Sequence, residues 1–385
     1  MKSLFLIAAL SAGVIAAQST DFTVEGLPVQ VHGFASQAFL ASDNNNYLTM
    51  PTSSGSFAFT DFGGNISVQL TPNFRVGAQI YDRNLGALGN WHPTLDWASG
   101  DYRFKDWLGI RAGKVKTVLG LYNDTQDLES LHTWALLPQS MYPLDLRSTT
   151  IAHIGGDFYG NIGLKRLGTL SYTAWAGLIQ NDSQDGIAYG DHVATQGARS
   201  EGGDLRWNTP LSGFLAGVAY TVSAARVKGV DPLGLPYLGR TAKNETAEFF
   251  AQYLHGRWRL DVEYRRAYLA ELLFDVYLPP SLTQDNRSIY GSASYRISKR
   301  VEVGAYYSRF YLDWADPHGD PANHIFDKVA TIRLDLMNHW DVKIEGHFMH
   351  GFADLDAFRG FYRQDNPQGF KPDTNLLVIR TGIQF

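Results

Sequence analysis

The sequence predicts an all-β fold: a transmembrane antiparallel β-barrel of about 16 strands behind an N-terminal signal peptide. Three observations carry this. Many segments alternate apolar and polar residues with a period of two, as a half-buried strand does. The connections between them are short and long in turn. No stretch reaches the roughly 18 apolar residues of a membrane-spanning helix.

The leader comes first. Met1-Lys2 precedes Leu4 to Ala17, which is apolar or small throughout except for Ser11. A spanning helix needs about 20 residues, so this segment is too short to cross a bilayer. A charged start, an apolar middle and a small-residue end make it a secretory signal. Residues 1–19 are therefore expected to be the signal peptide and 20–385 a single barrel. Without Lys2, 32 basic and 38 acidic residues give −6, against −5 for the whole chain. That mild acidity argues against a nucleic-acid partner. The chain has no cysteine, which excludes disulfides and thiolate metal sites. No linker or composition shift divides it.

Short turns fall at Thr71-Pro72-Asn73, Phe104-Lys105-Asp106, Lys165 to Gly168, Thr209 to Gly213, Gly256-Arg257, Ser298-Lys299-Arg300 and Met337-Asn338-His339. Longer loops fall at about 41–56, 84–94, 117–152, 180–200, 226–245, 270–286, 313–325 and 350–375. Seven turns and eight loops join sixteen strands, an even count with the long loops all on one side. Alternation is clear in several strands. Trp258, Leu260, Val262 and Tyr264 interleave with Arg259, Asp261, Glu263 and Arg265. Trp340, Val342, Ile344 and Phe348 interleave with Asp341, Lys343, Glu345 and His347. Segments near 153–164 and 201–208 are glycine-rich and alternate poorly. In lipid a sheet must close on itself to pair its backbone, so the apolar face meets lipid and the charged face lines a wet interior. Trp107, Trp258, Trp340, Tyr172 and Tyr311 near strand ends fit an interfacial aromatic girdle. A soluble β-sandwich would alternate too, but with short loops at both ends.

The last strand, Leu376 to Phe385, carries Leu377, Ile379, Thr381 and Ile383 on one face and Arg380, Gly382 and Gln384 on the other. A strand ending in an aromatic resembles the closing strand of bacterial outer-membrane β-barrels. That resemblance implies that Phe385, with Ile383, is a signal read by the barrel assembly machinery.

Sixteen strands enclose an aqueous channel rather than a filled core. The third loop, about 117–152, is the longest and holds Leu128, Leu131, Trp134, Leu136, Leu137, Met141 and Tyr142. Such apolar content suits packing against the wall, so this loop is expected to fold into the lumen. The stretch from Asp124 to Leu137 is expected to form a short helix. The candidate constriction residues are Asp124, Asp127, Glu129 and Arg147 on the loop and Arg75, Arg111, Lys114, Lys116, Arg259, Arg333 and Arg380 on the wall. Opposed acids and bases would set a transverse field that favours polar solutes. Alternatively, the same charges pair along the wall and only hold the loop. Lys114 and Lys116 share one strand face, so strict alternation excludes Arg111 from facing the lumen alongside them.

The run Gly109-Ile110-Arg111-Ala112-Gly113-Lys114-Val115-Lys116, continuing to Gly120-Leu121-Tyr122, resembles the junction of fifth strand and third loop in the phosphate-selective-porin-like family. Leu137-Pro138-Gln139-Ser140 is similar to a wider set of Gram-negative porins. The resemblance implies an outer-membrane porin passing small hydrophilic solutes and ions, a homotrimer set in outer-membrane lipid. It also implies an anion or phosphate preference, from which the acids of the third loop depart.

Other classes find less support. No G-x-S-x-G elbow is present, so no enzyme is expected, and no cofactor. His347 and His350, three apart on a strand, point to opposite faces and suit no metal site. Asp313, Asp316, His318 and Asp320 read as a solvated loop rather than a cation site. An energy-coupled transporter would need a plug domain ahead of the first strand near Val29. An adhesin or structural barrel, whose loops would be the function, stays open as an alternative.

Overall fold

The computed structural model describes residues 22–180, 192–230, 236–274, 282–315, 319–353 and 359–385. The expected signal peptide lies outside these residues, as do Asp316 and His318. A short strand β1 (Phe22–Val24) turns back on β2 (Leu27–Ser42). Then follow β3 (Ser56–Thr71), β4 (Phe74–Leu85), β5 (Thr94–Lys105), β6 (Leu108–Lys116), β7 (Ala152–Gly163) and β8 (Thr169–Gln180). Next come β9 (His192–Asn208), β10 (Phe214–Val230), β11 (Pro236–His255), β12 (Trp258–Phe274) and β13 (Leu282–Arg296). The set ends with β14 (Val301–Tyr311), β15 (His324–Met337), β16 (Trp340–His350) and β17 (Asp373–Gln384).

From β2 onward each strand pairs antiparallel with the next, and β17 pairs with β2. The ring is closed with sixteen strands, so no edge is left unpaired. All seven short turns lie at one end, where the sequence puts them. β9 to β13 run further toward the long-loop end than the expected loop bounds allow.

The seam between β17 and β2 runs from Leu376 opposite Ser42 to Gln384 opposite Phe34, and the last residue extends it. Phe385 donates its N–H to Gly33 O at 2.9 Å and accepts from Gly33 N at 3.0 Å. Its ring covers Gly33 so closely that a Cβ there would collide with it.

The two faces differ as a membrane barrel requires. On β16, Asp341, Lys343, Glu345 and His347 are buried inside while Ile344 and Phe348 are exposed outside. Phe104, Trp107, Trp207, Trp258 and Phe385 are exposed near the short-turn end and form an aromatic girdle.

The interior is not uniformly polar. Near the long-loop end Leu40, Phe59, Phe310, Leu376 and Val378 pack inward against Leu48, Met50, Leu85, Leu88, Ala135 and Leu136. Each such burial contributes about 1.5–3 kcal/mol, and the cluster joins the first, second and third loops to the wall.

Candidate functional site

The third loop, 117–151, lies inside the barrel and meets side chains from strands on every side of the ring. It is not the expected helix. Single 3-10 turns occur at Asn123–Thr125, Glu129–Leu131 and Leu144–Leu146, with one α turn at Arg147–Thr150. Wall side chains take up the loop's backbone groups, so helix hydrogen bonds are not needed to satisfy them.

Three tethers hold it. The first joins β4 to β6. Arg147 forms a two-pronged pair with Asp96, at 2.8 and 3.0 Å, and lies 3.8 Å over the Tyr81 ring. Gln79 donates both amide hydrogens, to Asp96 at 2.9 Å and to Asp127 at 2.6 Å. Lys116 closes the chain on Asp127 at 2.7 Å. Burial would raise the Asp127 carboxyl pKa, but Lys116 and Arg147 overcome it and hold the group below its ordinary value.

The second tether lies on β14 to β17. Glu345 accepts the backbone N–H of Ala135 at 3.0 Å and of Leu136 at 2.9 Å. Arg380 donates to Ala135 O at 2.8 Å and to Asp61 at 2.9 Å. Arg333 donates to Ser130 O and His132 O, and Lys343 pairs with Glu129. Burial raises Glu129 as well, and Lys343 with Arg380 reverses it, leaving its pKa lowered.

The third lies on β9 to β13. Tyr142 donates to Glu263, which also accepts from Tyr290, while the Tyr142 oxygen receives the N–H of Leu121 and Tyr122. Arg259 donates to the Tyr122 oxygen at 2.8 Å, and Arg206 to Gly120 O at 2.7 Å. Gly120 has φ +64°, and a Cβ there would run into the carboxylates of Glu248 and Glu263.

The sequence candidates thus fall into groups. Lys116, Asp127, Glu129, Arg147, Arg259, Arg333 and Arg380 meet at the loop–wall contact. Asp124 is half-buried and gives its carbonyl to Lys116. Arg111 faces the lumen and pairs with Asp157. Lys114 does not: it shares the outer face with Ile154, and its ammonium reaches Leu95 O. Lys116 leaves that face only because the strand ends there. Arg75 stands opposite Gln69 and Asp101 near the short-turn end and makes no described contact with the loop. Sequence reading missed Asp96, Gln79, Glu345 and Lys343 as tethers, since inward polarity alone does not tell which polar wall residues the loop will reach.

The charges are arranged unevenly toward water. Arg111 is 23% exposed and its Asp157 0%, and Arg206 is 23% against 2% for Asp204. Arg259 is 28% against 1% for Asp261, and Lys116 17% against 0% for Asp127. In each pair the base faces the lumen and the acid sits behind it. Asp335, at 21% beside Arg333 at 12%, runs the other way.

No protein-family model matches the chain, and no curated protein matches its sequence. Solved structures are similar in fold. The outer-membrane protein OmpT of Vibrio cholerae is 10% identical with a TM-score of 0.59, covering 95% of this chain and 100% of its own. The outer membrane channel DcaP of Acinetobacter baumannii is 9% identical at 0.58, covering 95% and 99%. The anion-selective porin of Comamonas acidovorans is 14% identical at 0.55, covering 93% and 100%. These define the class: a sixteen-stranded barrel of the porin architecture.

Proposed function

We propose that the chain is an outer-membrane porin, a water-filled channel through which small hydrophilic solutes and ions diffuse, rather than an enzyme. One observation carries this reading: a closed ring with a charged belt on its inner face holds a long loop across its lumen by three separate tethers. A loop fixed so firmly inside a barrel defines the width and charge of the passage. Residues 1–19 act as the export signal, and Phe385 with Ile383 is read during assembly. The likeness to a trimer form of OmpT from Vibrio cholerae favours a homotrimer.

The exposed bases of the lumen favour a second, finer reading, that the channel prefers anions. Paired acids cancel the net charge, but a passing ion first meets the guanidinium or ammonium. The anion-selective porin among the similar structures agrees with this, and phosphate is the narrower form of it.

The test is conductance of purified, folded protein in a planar bilayer under a salt gradient. Stepwise currents support the porin reading, and an anion-signed reversal potential supports the finer one. Added phosphate that blocks the current singles out phosphate. A cation-signed potential refutes the anion reading. No current from verifiably folded protein refutes the porin and moves the function to the loops, as in an adhesin or structural barrel.

A further inference from the structure

The outer face of β12 to β16 carries charge where lipid contact calls for none. Arg266 and Arg287 lie opposite each other and share Asp285. On the earlier strands β9 and β11 Arg199 pairs with Glu201 and Lys243 with Glu245. Arg309 and Lys328 differ. Arg309 donates to Tyr307 Oη at 2.9 Å and lies over the Phe326 ring, and Lys328 is exposed. Neither has a carboxylate partner among the described contacts.

Their height is fixed by the strand. Nine residues separate Lys328 from Met337 at the short-turn end. At about 3.3 Å per residue and a tilt of about 40°, Lys328 stands roughly 23 Å above it, near the top of an apolar band about 25 Å tall. A lysine or arginine on the lipid face costs about 2–4 kcal/mol at the midplane and about 0–1 at the interface, so these two sit at headgroup level. Register places Tyr307 opposite Lys328 and Phe326 opposite Arg309. The two cations are therefore diagonal neighbours about 7–8 Å apart at Cα, a spacing that one phosphate bridges.

Beneath them the wall is hollowed. Ala293, Ala305, Ala330 and Gly346 form one row across four strands, below Tyr307 and Phe348. The hollow has a volume of about 700 Å³ and a largely apolar surface, with Lys328 at its upper rim. A cationic rim above an apolar trough matches a headgroup phosphate above an acyl chain.

We propose that Arg309 and Lys328, with Arg287 and Arg266 beside them, bind the phosphate of an anionic glycolipid in the outer leaflet, with one of its chains lying in the trough. This rests on the reading that the barrel spans an outer membrane. The unpaired cations carry the proposal, and the trough explains why the partner is a lipid and not free phosphate.

The experiment uses the folded full chain in zwitterionic detergent. It is titrated with diphosphorylated lipid A, with the same lipid freed of phosphate, and with inorganic phosphate. Binding is read by native mass spectrometry and by the rise in heat-unfolding temperature. Wild type should bind the phosphorylated lipid and raise that temperature. Arg309→Gln/Lys328→Gln should weaken binding at least tenfold, while Lys328→Arg binds as wild type. Equal binding by the double variant overturns the proposal, as does equal binding of the phosphate-free lipid. The same shift with inorganic phosphate alone overturns the lipid assignment. A double variant that turns monomeric while keeping its lipid would instead make this face a contact between copies. The porin reading is tested apart, by conductance in phosphate-free zwitterionic bilayers. There both the wild type and the double variant should pass the same current.

Discussion

Glu345 on β16 is where the third loop is most open to a single, quantitative test. Its two carboxylate oxygens each accept one loop N–H, from Ala135 at 3.0 Å and Leu136 at 2.9 Å, in a site that is 0% exposed. A hydrogen bond to a charged group contributes about 1.5–3 kcal/mol. Glu345→Ala removes both and loosens this segment by about 3–6 kcal/mol, or about 10²- to 10⁴-fold in its local opening. Glu345→Gln should be nearly as severe. One oxygen becomes an NH2 group, which turns a donor toward a backbone donor. Arg380 and Lys343 still hold Ala135 O and Trp134 O, so the loop fluctuates instead of leaving the lumen. Single-channel recording should show a noisier and larger current for both variants, while heat-modifiable electrophoretic mobility confirms that the barrel is folded. Quiet, wild-type current from both folded variants would refute the tether argument. A large effect of Glu345→Ala with none from Glu345→Gln would refute its hydrogen-bond basis.

Further outcomes follow from the same geometry. Gly120→Ala should disturb the loop as Glu345→Gln does, because its Cβ meets two carboxylates at a left-handed φ; wild-type conductance would contradict this. Gly33→Val should lower the heat-unfolding temperature of the barrel by displacing the Phe385 ring from the closing seam, and an unchanged temperature would show that the seam tolerates it. Replacing Arg111, Arg206 and Arg259 together by Ala should shift the reversal potential toward cations, since the acids behind them become uncovered. Acid should weaken the loop. His132 is pushed down to about 3 by burial, and Asp127 and Glu129 are lowered, so the native state binds fewer protons than the unfolded chain. Stability is lost as pH falls, first through the histidine range below 6.5 and then through the carboxylate range. Buried Asp145, raised in pKa, opposes this in part. Unfolding temperature should fall between neutral pH and pH values near 4, and a flat profile would refute the assignment.

The sequence makes the barrel readable because a two-sided strand writes its environment into every second residue. Trp340 to Phe348 and Trp258 to Arg265 take the inward and outward places that their alternation assigns. The seven turns are equally legible: six break the apolar period with glycine, proline or charge, and the seventh with Asn338-His339. What alternation does not encode is what fills the interior. Leu40, Phe59 and Val378 are inward and apolar, contrary to the rule of a wet lumen, because the loops fold over them. Lys114 and Lys116 share one strand face by alternation, yet Lys114 lies on the outer side and Lys116 reaches Asp127 at the end of β6. Asp124 to Leu137 carries the residues of a helix, but arginines and a lysine of the wall capture its carbonyls. Those contacts join residues more than two hundred positions apart, beyond any local pattern.

The bases and acids of the lumen wall take different groups of the third loop's backbone. Wall cations reach forward: Arg83, Arg206, Arg265, Arg333, Lys343 and Arg380 all donate to carbonyls of the third loop. Wall acids stay behind them, and Glu345 and Glu263 take the loop's N–H groups. A backbone carbonyl carries only a partial charge, so a guanidinium bound to one keeps most of its own field. A guanidinium paired face to face with an exposed carboxylate would lose it. Contacts of this kind fix the loop through its backbone, while most of the same cations also pair with a carboxylate, as Arg265 does with Glu248 and Arg380 with Asp61. Where the loop's own acids serve, as Asp127 does with Lys116 and Glu129 with Lys343, the contact fixes the shape and cancels the charge together. Net charge of the chain, which counts both sets alike, does not report the local potential inside the lumen.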